Sequence, residues 1–284
     1  MNIKQKNFKE ERALFGTHNA VVKDCVFSDG ESPIKECTDI SLENSVFRWK
    51  YPIWYSKNIS VRDCAFLENT RAGIWYVDNI SVAGSVFDSP KNFRRCSGVD
   101  LENVTFTDAA ESLWNCKDVS LRNVRANGNY FVKDSENITA ESIELVGKYC
   151  FDGVRNVEVH NGKFIGRDLF WNSENVTVYD SFISGEYIGW NSRNLTFVNC
   201  TIESLQGLCY IDNLVMRGCK LLDTTLAFEY STIDAEIIGK IDSVINPKSG
   251  RLVCDEIGEL IMQSDKVDIN KTQIRQLRQL LTME

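Results

Sequence analysis

Five of the six tryptophans fall in one slot of a repeating phrase: Trp54, Trp75, Trp114, Trp171 and Trp190. The repetition is plainest where "FWNSENVTV" is answered by "GWNSRNLTF", with Trp171 returning as Trp190 and Asn172 as Asn191. Other members of the slot are Lys35, Arg94, Lys133, Asp152 and Cys209. The adjacent slot holds Tyr55, Tyr76, Arg95, Asn115, Asp134, Gly153, Asn172, Asn191 and Tyr210. A row of indoles with amides, cations and carboxylates between them suits a sugar chain. Pyranose rings stack on aromatic faces, and their hydroxyls pair with amides and carboxylates. The residues expected to touch such a ligand are Trp54, Trp75, Arg94, Arg95, Trp114 and Asn115, then Lys133, Trp171, Asn172, Trp190 and Asn191.

Bond-breaking chemistry on this face would fall to carboxylates, because His18 and His160, the two histidines, lie outside it. A glycosidase needs two carboxyl groups roughly 5 to 10 Å apart. Asp152 with Asp168, and Asp134 with Asp152, are the candidate pairs. A polysaccharide lyase would instead use Arg94, Arg95 or Lys133 beside a bound cation. The ten cysteines form no CxxC pair and no zinc-like spacing, so no metal site or cofactor is expected.

The elements that must position these side chains follow from the period. Matching units begin at Asn19, Asp39, Asn58, Asn79, Gly98, Asp118, Asn137, Asn156, Asn175, Asn194 and Asn213. A nearly constant step of about 20 residues means stacked structural units. One place on from each start sit Ile40, Ile59, Ile80, Val99 and their equivalents, and two places further Leu42, Val61, Val82 and Leu101. The residue between is polar, which is the alternation of a strand with one buried face. A turn column of Asn, Asp and Gly follows, residues that tolerate left-handed backbone angles. A second short strand then buries Phe27, Phe47, Phe66, Phe87 and Phe106, and a third Ile34, Ile53, Ile74 and Phe93. If the third strand points its aliphatic residues inward, the Trp slot points outward.

Three short strands per unit predict an all-β fold: a single-stranded right-handed parallel β-helix of about 11–12 coils. One domain is expected over 1–284, with an N-terminal cap over 1–18, coils over 19–262 and a capping helix over 263–284. The helix is read from Val267, Ile274, Leu277, Leu280 and Leu281, which share one helical face. The cysteines share two small-residue columns, so buried structural thiols are expected. The Asn-X-Ser/Thr triplets arise from the same columns and read as turn chemistry.

The runs "ERALFG", "DGESPIKE", "FRWKYPIWY", "RAGIWY", "LFWNSENVTVYDS", "GEYIGWNS" and "GLCY" resemble a bacterial family defined as a domain of unknown function. The resemblance covers about Glu11 to Ile261 and implies a right-handed parallel β-helix of the pectin-lyase-like kind. It implies no activity and transfers no catalytic residue.

Charged residues make up 25% of the chain and the net charge is −8, which argues against a nucleic-acid partner. No apolar run reaches the length of a membrane span, and the N-terminus lacks the apolar core of a signal peptide, so the expected compartment is the cytoplasm. Two functions remain. One is a β-helix that recognises or processes carbohydrate through the Trp/Tyr face, its partner an oligosaccharide. The other is a non-catalytic scaffold that self-associates through the same face, its partner a second copy of the chain.

Overall fold

The computed structural model describes residues 1–278. Almost all regular structure is parallel strand, and the chain is a parallel β-solenoid of about 14 turns. It groups into two compact units, Met1–Gly147 and Lys148–Glu284.

In the first unit the apolar columns read from the sequence are ladder partners. Ala20, Ile40, Ile59, Ile80, Val99, Val119 and Ile138 occupy one register position in successive coils. The second strand stacks Phe8, Phe27, Phe47, Phe66, Phe87 and Phe106. Their ring centroids lie 4.5–4.9 Å apart with nearly parallel planes. Coil spacing in a parallel sheet is itself about 4.8 Å, so identical rings in identical slots must stack. Each fully buried phenylalanine contributes about 2–3 kcal/mol by removing its apolar surface from water.

The bends follow from backbone chemistry. Asn58, Asn79, Gly98 and Asp118 at the start of the long strand all have φ between 53° and 60°, as do Asp63 and Gly84 at its end. A left-handed residue reverses the chain within one position, and Asn, Asp and Gly adopt it with the least strain. Asn amides then bond coil to coil: Asn58 Nδ2 donates to Asp39 Oδ1 at 2.8 Å and Asn79 Nδ2 to Asn58 Oδ1 at 3.2 Å. The small buried columns serve the bends too. The backbone N–H of Cys25 donates to Ser45 Oγ, and that of Cys64 to Ser85 Oγ. Only a short side chain from the next coil reaches a buried N–H that the turn has taken out of the ladder. All ten cysteines are buried and unpaired, as expected. Burial pushes the Cys64 thiol up to about 11 and that of Cys209 to about 12.

The second unit repeats the plan. Val157, Val176, Leu195, Leu214 and Ile233 share one register position, and Phe164, Ile183, Ile202 and Leu221 another. Register shifts at Glu203/Leu205 and Arg217/Cys219 mark where the repeat loosens.

Both ends differ from the sequence expectation, which is why the turns exceed 11–12. Residues 1–18 are not a separate cap: Asn2–Lys4 pairs in parallel with His18–Lys23, and Asn7–Phe8 with Val26–Phe27. The helix expected over 263–284 is not formed over 263–276. Residues Ile269–Lys271 make one 3₁₀ turn, and Thr272–Gln276 is a strand paired with Gly250–Cys254, Ile274 opposite Leu252. An isolated short helix is marginal in water, whereas the open sheet edge offers a row of unpaired backbone groups. Residues 279–284 of the expected helix, which include Leu280 and Leu281, lie outside the described residues. No helix among the described residues is long and apolar enough to cross a membrane.

Candidate functional site

The third strand sets the face. Ile34, Ile53, Ile74, Phe93, Leu113 and Val132 are fully buried. Their successors Lys35, Trp54, Trp75, Arg94, Trp114 and Lys133 are half-buried, on the outer side. Lys35, Trp54, Trp75, Arg94 and Trp114 are consecutive partners in one parallel ladder. The next residue along, Tyr55, Tyr76, Arg95, Asn115 or Asp134, has φ of 50–56°. That conformation is unusual for tyrosine and arginine, but it recurs in every coil and belongs to the corner.

Two parallel stacks result in the first unit. Trp54 and Trp75 lie 5.0 Å apart and 6° from parallel, and the Arg94 guanidinium sits 5.2 Å from Trp75 and 4.3 Å from Trp114. Beside them Tyr55 and Tyr76 stack at 4.7 Å, with Arg95 5.8 Å from the Tyr76 ring. Each indole N–H is fixed: Trp54 Nε1 donates to Ala72 O, Trp75 Nε1 to Lys91 O and Trp114 Nε1 to Tyr130 O, at 2.7–2.9 Å. The indole faces therefore lie against one another along the stack, and what a ligand meets is ring edges. Arg94 is bonded to Glu111, which also takes Lys91 at 3.5 Å. Arg95 is exposed and makes no ion pair among the described residues. A cleft of about 380 Å³ is lined by Trp75, Tyr76, Arg94, Arg95, Trp114 and Asn115.

In the second unit Trp171 and Trp190 stack more loosely, at 6.1 Å and 23°. Trp190 continues onto Tyr210 at 4.5 Å, and Tyr210 onto Tyr230 at 5.3 Å. Burial, helped by the neighbouring Glu229 charge, raises the Tyr210 phenol above its ordinary pKa. An amide ladder runs alongside: Asn191 Nδ2 donates to Asn172 Oδ1 at 2.6 Å, and Asn172 Nδ2 to Asp152 Oδ1 at 3.3 Å. A polar cleft of about 430 Å³ opens beside Asn172, Glu174, Asn191 and Arg193.

The candidate carboxylates are placed as follows. Asp134, in the first unit, is exposed and 3.8 Å from Lys133 Nζ. Asp152 and Asp168 belong to the second unit. Asp152 is buried and accepts from Asn172, while Asp168, 1% exposed, accepts from Arg167 Nε at 3.0 Å. The other Asp168 oxygen is buried without a hydrogen-bond partner among the described residues. Among those residues no three His, Cys, Asp or Glu side chains cluster as a metal site would require.

The chain is thus a parallel β-solenoid with an aromatic and cationic face. It belongs to the family described as protein of unknown function (DUF3737), which it matches over residues 1–275. No match to a curated protein is found. Among solved structures it is similar to PfbA, a surface adhesin of Streptococcus pneumoniae, at 9% identity, covering 92% of this chain and 69% of that one, TM-score 0.30. It is similar to the A-module of the Azotobacter vinelandii mannuronan C-5 epimerase AlgE4 at 8% identity, covering 96% and 87%, TM-score 0.31. A tailspike protein of E. coli bacteriophage HK620, in complex with a hexasaccharide, matches at 12% identity, covering 98% and 67%, TM-score 0.30. No activity, ligand or residue role is carried over from them.

Sequence reasoning missed Tyr230 as the continuation of the Tyr210 slot, although it lies one repeat on. It also missed Lys248, Lys266 and Lys271, which line a second-unit cleft with Tyr210 and Tyr230. Two of those lysines were hidden inside a segment whose apolar spacing reads as helix.

Proposed function

We propose that the first-unit cleft recognises acidic oligosaccharides, and that this chain is a carbohydrate-binding β-solenoid. The observation that carries this reading is the cleft lined by Trp75, Tyr76, Arg94, Arg95, Trp114 and Asn115. Arg95 presents a guanidinium without an ion pair among the described residues, the group best shaped to take a carboxylate through two parallel bonds. The Asn115 amide and Tyr76 phenol supply donors and acceptors for hydroxyls. Arg94 serves differently: held by Glu111 and sandwiched between indoles, it is a fixed part of the wall. The sugar accordingly packs on ring edges, because the indole faces are taken. The reading is recognition. Asp134 and Asp168 are each paired with an adjacent cation, and they take no part in it.

The test is calorimetric titration of the full chain with oligogalacturonate and with a neutral cello-oligosaccharide. The acidic ligand should bind, and Arg95→Ala should weaken it about tenfold while Arg95→Lys recovers part of the loss. Equal binding of the neutral sugar, or an unchanged affinity in Arg95→Ala, would overturn the proposal. A concentration-dependent dimer that Tyr55→Ser or Arg95→Ala dissolves would assign the face to self-association instead.

A further inference from the structure

A cleft of about 590 Å³ lies in the second unit and takes no part in the proposed oligosaccharide site. Its volume is that of a small-ligand pocket. One wall is the end of the outer aromatic stack. Tyr210 packs on Trp190, Tyr230 packs on Tyr210, and Tyr230 has no further ring partner among the described residues. Trp171 on Trp190 and Trp190 on Tyr210 are stacked, whereas Tyr230 meets Tyr210 tilted by 53°. At Tyr230 the aromatic ladder stops: the following turn brings Pro247 to that register, and Lys248 and Ser249 line the cleft beside it.

The opposite wall is the segment 266–271. It is fixed by its own bonds: the N–H groups of Lys266 and Val267 both donate to Gln263 O, and Asp268 accepts from Asn270 N. Val267 is buried, and Thr272 Oγ1 donates to Pro247 O at 3.1 Å, so the segment is tied down at both ends. Three lysines line the cleft, Lys248, Lys266 and Lys271, against two carboxylates, Asp212 and Asp268. Asp212 accepts from Thr232 Oγ1, and Asp268 is 4.0 Å from Lys271. The ammonium groups of Lys248 and Lys266 have no carboxylate partner among the described residues. In a chain of net charge −8 with 40 acidic residues, two unpaired lysines facing one cleft are a local reversal of sign.

We infer that this cleft binds a small ligand with one pyranose-sized ring and one anionic group. The ring lies against Tyr230, the anion between Lys248 and Lys266, and the ring hydroxyls at Thr232, Ser249 and Asn191. Carboxylate and phosphate would satisfy the lysines alike, so the anion is either that of a uronic acid or that of a sugar phosphate.

The test is calorimetry on the full chain carrying Arg95→Ala, which removes the first-unit site from the signal and makes the two proposals fail separately. The probes are D-galacturonate, glucose 6-phosphate, galactose and inorganic phosphate. One of the two acidic sugars should bind at least tenfold more tightly than galactose and, if it is glucose 6-phosphate, at least tenfold more tightly than inorganic phosphate. Which arm binds names the anion. Lys248→Gln with Lys266→Gln, both on exposed positions, should weaken that binding at least tenfold, and Tyr230→Leu at least fivefold. Binding of neither acidic sugar, galactose binding as tightly, inorganic phosphate binding as tightly as glucose 6-phosphate, or an unchanged affinity in the double lysine variant would each overturn the inference.

Discussion

In the first unit Trp54, Trp75 and Trp114 each donate their indole N–H to a carbonyl of the following coil. In the second, Trp171 and Trp190 have no acceptor for that proton among the described residues, and their rings stand 6.1 Å apart instead of 5.0 Å. The same slot of the same repeat thus yields a locked ladder and a loose one. The further neighbours of the indoles differ as well. Arg94 fits between Trp75 and Trp114 as a flat cation that stacks on both faces. In the second unit Trp190 stacks instead on Tyr210, which comes from the neighbouring slot, and the amides Asn172 and Asn191 bond to each other rather than to the rings. A ladder whose faces and N–H groups are all satisfied can offer a ligand only edges and neighbouring charges. A ladder that ends at a cleft, as the second does at Tyr230, can offer its last ring as a wall.

Truncation should separate the two most strongly. Trp75→Ala removes stacking on both sides and strands the Lys91 carbonyl, and we expect a loss of about 3 kcal/mol in urea unfolding; Trp171→Ala should cost about 2 kcal/mol or less. Equal losses would show that the indole bonds contribute nothing and would break the comparison.

Acid should sharpen it at smaller scale. The second unit contains Asp234, where the hydrogen bond from Arg217, then that from Arg251, holds the carboxyl below its ordinary range. A folded pKa below the unfolded one stabilises above the unfolded value, near 3.8, and the stabilisation is lost as pH falls through the folded value. Below about pH 4 the wild type should lose up to about 1 kcal/mol that Asp234→Asn never had, the exposure of the group keeping the effect small. Parallel acid limbs for the two proteins would remove the pair from the account.

The smallest effect concerns the thiols of Cys64 and Cys254, which should not distinguish the units at all. Burial raises Cys64 in the first unit to about 11 and Cys254 in the second to about 11. Both stay protonated at pH 8 and neither should react with iodoacetamide over an hour, while all ten cysteines should react in denaturant. Native labelling at one of them would single it out for a role beyond packing.

The near-constant period determined a great deal by itself. A strand slot in one coil must face the same slot in the next, so Ile40, Ile59 and Ile80 were bound to share a register position and Phe27, Phe47 and Phe66 to stack. The Asn and Gly columns marked the left-handed corners because few residues accept that backbone, and the outward turn of the Trp slot followed from the buried residue before it. Side-chain partnership was another matter. That Arg94 lies between two indoles and binds Glu111, that Asp168 is tied to Arg167, and that Thr272–Gln276 is a strand depend on which groups the finished winding brings together. Apolar spacing reports a face and says nothing about its partner. At the chain's end the helical face of Val267 and Ile274 competed with an open sheet edge, and the edge won because its backbone hydrogen bonds exist only once the rest of the solenoid has formed.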